Sequence, residues 1–283
     1  MKLDFTSHKY EDLLRCISKS DYPVIRIKDF LTSNVKPEKY IILRHDVDLN
    51  SNEQIYFSEL ENKYNIASSY YFRVIKGIFD HTVISKVHKL GHEVGYHYET
   101  LSKTRGNLEL ALNLFQKELS LFLRYSDKLT VCPHGGFALA GSNGYTLSGL
   151  LDLIMKILSG HEIFSNWKST DLWIDNSLES FSEHLVGDAH LSIDFEDIFY
   201  LSDTGRSWDN KFKNVDLVKS NINVNVKNTD EIIELINSKK FNKLYILVHF
   251  EQWKSNFKDW QKWYMSQIIR RNSKIFVKKF FSK

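Results

Sequence analysis

The chain has 283 residues, 42% of them hydrophobic and 26% charged, with a formal net charge of +3. That length suits one large α/β barrel or two modest domains, and so mild a charge gives no sign of nucleic-acid binding. Cys16 and Cys132 are the only cysteines, which excludes a disulfide framework and suits a reducing compartment.

The opening Met1-Lys2-Leu3-Asp4-Phe5-Thr6 lacks the apolar core of a signal peptide. No apolar run reaches the ~18 residues that a membrane span requires, so a cytoplasmic location is expected. Residues 1–38 and 257–283 are read as helical or loop extensions flanking a single domain that spans 1–283. Ile41–Arg44 reads as a buried strand, followed by a helix near Asn52–Tyr64. Ser68–Val74, rich in aromatic and β-branched residues, is a second strand. His81–Leu90 is helix-like and stops at Gly91; Glu93–His97 is a short strand, Leu108–Tyr125 a long helix, and Leu129–Cys132 a further strand. Strands are also expected at Leu172–Ile174, Ala189–Ile193 and Leu244–Val248, and helices over Thr229–Ser238 and Phe257–Arg271. Alternating strands and helices imply βα units and a mostly parallel sheet. So many units in one undivided chain point to closure into a barrel, where function sits at the C-terminal strand ends.

His45-Asp46-Val47-Asp48 stands at such an end, after the apolar run Tyr40-Ile41-Ile42-Leu43. Alternate strand residues project to one face, so Asp46 and Asp48 would point into one cavity if the strand continues that far. Such a pair can divide labour, one acid binding a divalent cation and the other taking a proton from water. In isolation an Asp-x-Asp fits a solvated turn as well. Gly91-His92-Glu93-Val94-Gly95-Tyr96-His97-Tyr98-Glu99 forms the second cluster. A histidine at a strand end with a glutamate two residues on suits metal binding or proton transfer, and equally a core histidine beside a helix-capping acid. Cys132 and His134 allow a thiol nucleophile, although a cysteine inside an apolar strand is more often inert packing. Gly135-Gly136 and Gly141-Ser142-Asn143-Gly144 precede no Gly-Lys-Ser/Thr, which excludes a phosphate-cradling loop. The basic and aromatic tail through Lys278-Lys279-Phe280-Phe281 allows weak peripheral membrane contact, with a solvated terminus as the plainer reading.

His-Asp-Val-Asp followed by Gly-His-Glu-Val-Gly-Tyr-His-Tyr-Glu resembles the polysaccharide deacetylase superfamily, carbohydrate esterase family four and its relatives. More closely, it resembles the polysaccharide-deacetylase-like branch of surface-polysaccharide gene clusters. Cys132-Pro133-His134-Gly135, Tyr200-Leu201-Ser202-Asp203-Thr204-Gly205-Arg206-Ser207-Trp208 and Val248-His249-Phe250-Glu251-Gln252-Trp253 extend it over most of the chain. The resemblance implies a single distorted (β/α) barrel of α/β class, a divalent metal, and removal of N-acetyl groups from amino sugars. Asp46 matches the general base, Asp48 the metal-binding acid, His97 the first metal-binding histidine and His249 the general acid. The motifs also supply the residues expected to bind substrate, namely Tyr98, Glu99, Asp203, Trp208 and Trp253.

Three positions depart from that pattern. Leu101 stands at the second metal-binding histidine, Val131 at the third-motif arginine, and His134 where an aromatic residue is frequent. His134 is therefore the expected third ligand, with Glu99 and His45 as alternatives. Arg206 is the expected replacement arginine, pairing with Asp46 and holding it ionised, unless it pairs instead with Asp203. Mixed imidazole and carboxylate ligands suit zinc or a similar borderline cation. The expected function is metal-dependent N-deacetylation of a nucleotide- or lipid-linked sugar in surface-glycan assembly, with no nucleic-acid partner. A catalytically inactive glycan-binding scaffold, or a hydrolase of another amide or ester, are the alternatives.

Overall fold

The computed structural model describes residues 3–49, 52–134, 181, 183–204, 206–209, 218–222 and 224–266. The chain forms two compact units, Met1–Val94 with Asp194–Lys283, and Gly95–Ile193.

The first unit opens with α1 (Ser7–Lys19), capped by Thr6, whose Oγ1 accepts from the Lys9 amide. Tyr10, Leu13, Leu14 and Ile17 repeat at helical spacing and are buried, so this segment belongs to the core. After α2 (Ile27–Thr32) comes β1 (Tyr40–Val47), buried along its whole length. Then follow α3 (Asn52–Lys63), β2 (Ser69–Phe72) and α4 (His81–Lys89). Asp80 caps α4, and the turn beyond its end passes through Gly91 at φ 91°, a backbone conformation that glycine adopts without strain. β6 (Phe199–Ser202), α7 (Thr229–Asn237) and β7 (Lys243–Val248) complete the unit, with a 3₁₀ turn over Phe250–Gln252 and a helix, α8, over 257–266. Within this unit β1 pairs in parallel with β2 on one side and β7 on the other, and β7 pairs with β6. Near-continuous apolar runs such as Leu244–Val248 are the mark of strands covered on both faces.

β3 (Glu93–Tyr98) begins in the first unit, where the Glu93 amide donates to the Ser68 carbonyl, and continues into the second. There α5 (Thr100–Lys103), α6 (Leu108–Ser120), β4 (Leu129–Pro133) and β5 (Leu185–Asp188) follow. β3, β4 and β5 are parallel neighbours. The strand order is β5-β4-β3-β2-β1-β7-β6.

The α/β class and the parallel sheet agree with the sequence. Closure into a barrel is not shown: the described strands form one seven-stranded sheet. The strand expected at Ala189–Ile193 falls instead on Leu185–Asp188. Asp188 turns the chain, its Oδ1 accepting from the amides of His190 and Leu191. The expected Leu172–Ile174 strand, the glycine pairs after His134 and the basic tail lie outside the described residues. Among the described residues no helix is long and apolar enough to cross a membrane.

Candidate functional site

β1 (Tyr40–Val47) alternates Arg44 and Asp46 on one side with His45 and Val47 on the other, because successive strand residues face opposite ways, and it ends one residue before Asp48. Arg44 and Asp46 are both buried and meet at two points. Nε donates to Oδ1 at 2.8 Å and Nη2 to Oδ2 at 2.6 Å. Arg44 also reaches the Tyr245 hydroxyl at 3.4 Å and lies over the Tyr71 ring. A planar guanidinium matched to a carboxylate is the strongest neutralising contact available to a buried acid.

β7 lies beside β1 with His45 opposite Val248, so the next residues along the two strands, Asp46 and His249, are neighbours, and the Asp46 charge acts on the His249 ring. His249 Nδ1 donates to Asp203 Oδ1 at 2.7 Å, and its backbone amide donates to both Asp203 oxygens at 3.0 Å. Trp253 Nε1 donates to Asp203 Oδ2 at 2.7 Å. Asp203, fully buried at the end of β6, thus orients the imidazole and leaves Nε2 as its second working atom. Burial alone would lower the His249 pKa, but the Asp203 carboxylate, helped by Glu251 and Asp46, holds it well above the ordinary range. Glu251 is displaced upward as well. Burial, with the Asp48 charge nearby, outweighs the pull of His249 and raises it to about 8.

In the second unit, His97 stands opposite Cys132 in the β3–β4 ladder and its Nδ1 donates to the Cys132 carbonyl at 3.0 Å. That bond selects the tautomer whose Nε2 carries the lone pair, the form in which histidine binds a metal. His134 follows β4. Its ring meets that of His97 edge-on at 5.1 Å, and its Nδ1 lies 3.5 Å from Glu99 Oε2. Asp, His and Cys side chains of this kind could hold a metal ion, and imidazole with carboxylate is a donor set that zinc accepts. Cys132 is enclosed within β4, so its thiol is not an accessible nucleophile.

Several expected roles shift. Arg206 does not supply the guanidinium that holds Asp46. It stacks over Trp260 at 4.8 Å with Phe5 and Tyr264 close by, and Nη1 donates to the Trp260 carbonyl. Burial there lowers its pKa to about 10. Asp203 is committed to His249 rather than to a substrate. Tyr98, Trp208 and Trp253 are at most 1% exposed; Trp208 Nε1 donates to Thr229 Oγ1 and the Tyr98 hydroxyl to Asp188. These rings spend their surfaces on the core, not on a ligand. Glu99, also buried, faces Lys103 and His134. His45 lies on the strand face opposite Asp46, with its Nε2 2.8 Å from the buried Glu61.

Two residues of this neighbourhood were missed in the sequence. Strand alternation places Arg44 on the Asp46 face, a signal that was available. Glu251 carries no such signal, because only the turn after His249 brings it near Asp48. No family model, no curated protein and no solved structure matches this chain.

Proposed function

We propose that the chain is a metal-dependent hydrolase that removes the acetyl group from the nitrogen of a carrier-linked amino sugar. The observation that carries this reading is the pairing at neighbouring strand ends of a carboxylate held by a guanidinium, Asp46–Arg44, with an imidazole held by a carboxylate, His249–Asp203. The motif resemblance supports the same assignment. Asp48, His97 and His134 are the residues that would hold the cation, with zinc as the expected metal. When bound, a divalent cation supplies Lewis-acid polarisation of the amide carbonyl and makes a water more acidic.

Asp46 accepts a proton from that water as its oxygen bonds to the acetyl carbon. Arg44 keeps the carboxylate aimed and its charge compensated. The C–N bond then breaks as His249 donates its Nε2 proton to the departing amine nitrogen, giving acetate and a free amino sugar. Asp203 stabilises the imidazolium before that transfer and fixes the ring through the Nδ1 bond. The test is acetate release by the zinc-loaded full chain from N-acetylglucosamine oligosaccharides and from a nucleotide-linked N-acetylhexosamine. Release is expected from at least one; zinc bound with no release from either overturns the reading.

A further inference from the structure

Beneath Asp46 and His249 lies a polar cluster that the proposed chemistry does not use. Glu61 is fully buried on α3. It accepts from the Tyr10 hydroxyl, from Ser68 Oγ and from the Tyr70 hydroxyl at 3.1 Å, and pairs with His45 Nε2 at 2.8 Å. His92 Nδ1 stands 3.5 Å from it. Removing such a charge from water is costly, and an apolar replacement of similar volume is often as stable. Fold stability alone therefore does not require a glutamate here, since a packed apolar side chain would serve it as well.

The cluster's connections suggest another. His45 immediately precedes Asp46, and Phe250 immediately follows His249. The His45 and Phe250 rings stack at 4.3 Å, tilted by 24°. The Phe250 ring also stacks on Phe57 at 4.1 Å and 8°. Phe57 and Glu61 are four residues apart on α3, one above the other on the same helix face. One helix face therefore grips both partners of the stack, Glu61 through His45 and Phe57 through Phe250. Tyr10 adds a third tie, donating to Glu61 while its ring packs edge-on against Phe250 and against Trp253. Trp253 in turn holds Asp203.

We propose that Glu61, through the His45–Phe250 stack, sets the separation and aim of Asp46 and His249, which makes Glu61, His45 and Phe250 positioning residues. The proposal rests on the assignment of those two residues as base and acid. A small displacement of either group costs on the order of 10²-fold in rate, so a rigid tie between them has a function that packing alone does not.

The test reads His249 directly, in the full chain with histidine isotopically labelled and no substrate present. The His249 Nδ1 proton that donates to Asp203 gives a resonance whose exchange with water reports how firmly the ring is held. Glu61→Gln and Phe250→Leu are each expected to speed that exchange by about tenfold or more, while Leu14→Ala, a core change on α1 of comparable stability loss, leaves it unchanged. Unchanged exchange in both site variants, or equal acceleration in the Leu14 control, overturns the proposal. Should Glu61→Gln fail to fold, Phe250→Leu decides alone. Acetate release is scored separately: a wild-type chain that releases none refutes the hydrolase reading, while the His249 resonance still decides whether the stack holds the ring.

Discussion

Arg44 and Asp46, two residues apart on β1, form a two-point ion pair inside the sheet, with contacts of 2.8 and 2.6 Å. Removing one partner leaves the other as an uncompensated buried charge. Arg44→Ala is expected to cost about 3–5 kcal/mol, read as a fall in the urea midpoint. Arg44→Lys keeps the charge but loses the fork geometry, so it should restore only part of that loss. A midpoint within experimental scatter of wild type for Arg44→Ala would contradict the pairing.

His249 and Glu251 both bind their protons more tightly in the folded chain than in the unfolded one. A raised pKa contributes stability that is present below the unfolded value and is lost as pH rises through the folded one. Stability should therefore decline as pH climbs, over about 4.5 to 8 through Glu251 and above about 6.5 through His249. Glu251→Gln should flatten the first window. Asp203→Asn, which removes the carboxylate holding His249, should flatten the second. Urea unfolding across pH 4.5 to 9 checks both, and slopes identical to wild type would count against these environments.

Glu61 has the opposite sign. Burial would raise its pKa, but the charge and contact of His45, with His92 and Ser68, hold it down at about 2. Its stabilisation is present above the unfolded value of about 4.5 and disappears as pH falls towards 2, an effect on the order of 3 kcal/mol. Glu61→Gln should be less stable than wild type at neutral pH, with the difference closing on acidification. A constant difference across that window would show that Glu61 is not ionised in the fold.

Metal binding separates the ligands from the base. If the proposed ligands are right, Asp48→Ala, His97→Ala and His134→Ala should each lower zinc content from about one per chain towards zero, because the proposed set of three has no spare ligand. Asp46→Asn should retain the metal. Zinc analysis after dialysis distinguishes them, and full retention by His134→Ala would remove it from the ligand set.

Much of the fold was legible where one segment carries its own signal. Tyr40–Leu43 and Leu244–Val248 are apolar runs too short for helices and too continuous for surface strands, and both are buried strands. α1 was equally readable from Tyr10, Leu13, Leu14 and Ile17, which recur at helical spacing and are buried. β5 was misplaced because its placement turns on how the Asp188 side chain bonds the two amides that follow, and composition does not show that. In the site, Asp46 and His249 were visible as polar groups at the ends of apolar strands. Their partners were not equally so. Arg44 shares the strand parity of Asp46, but Asp203 meets His249 only through the β6–β7 pairing. Arg206 misled for the same reason, since aromatic rings from both ends of the chain, Phe5 and Trp260, hold it.

The most direct measurement is the rate of acetate release by wild type and by Asp46→Asn, both zinc-loaded, on whichever N-acetylated sugar the wild type accepts. Loss of the base should lower the rate by about 10²–10⁴-fold with metal content unchanged. An Asp46→Asn chain that binds zinc and releases acetate at the wild-type rate would contradict the account.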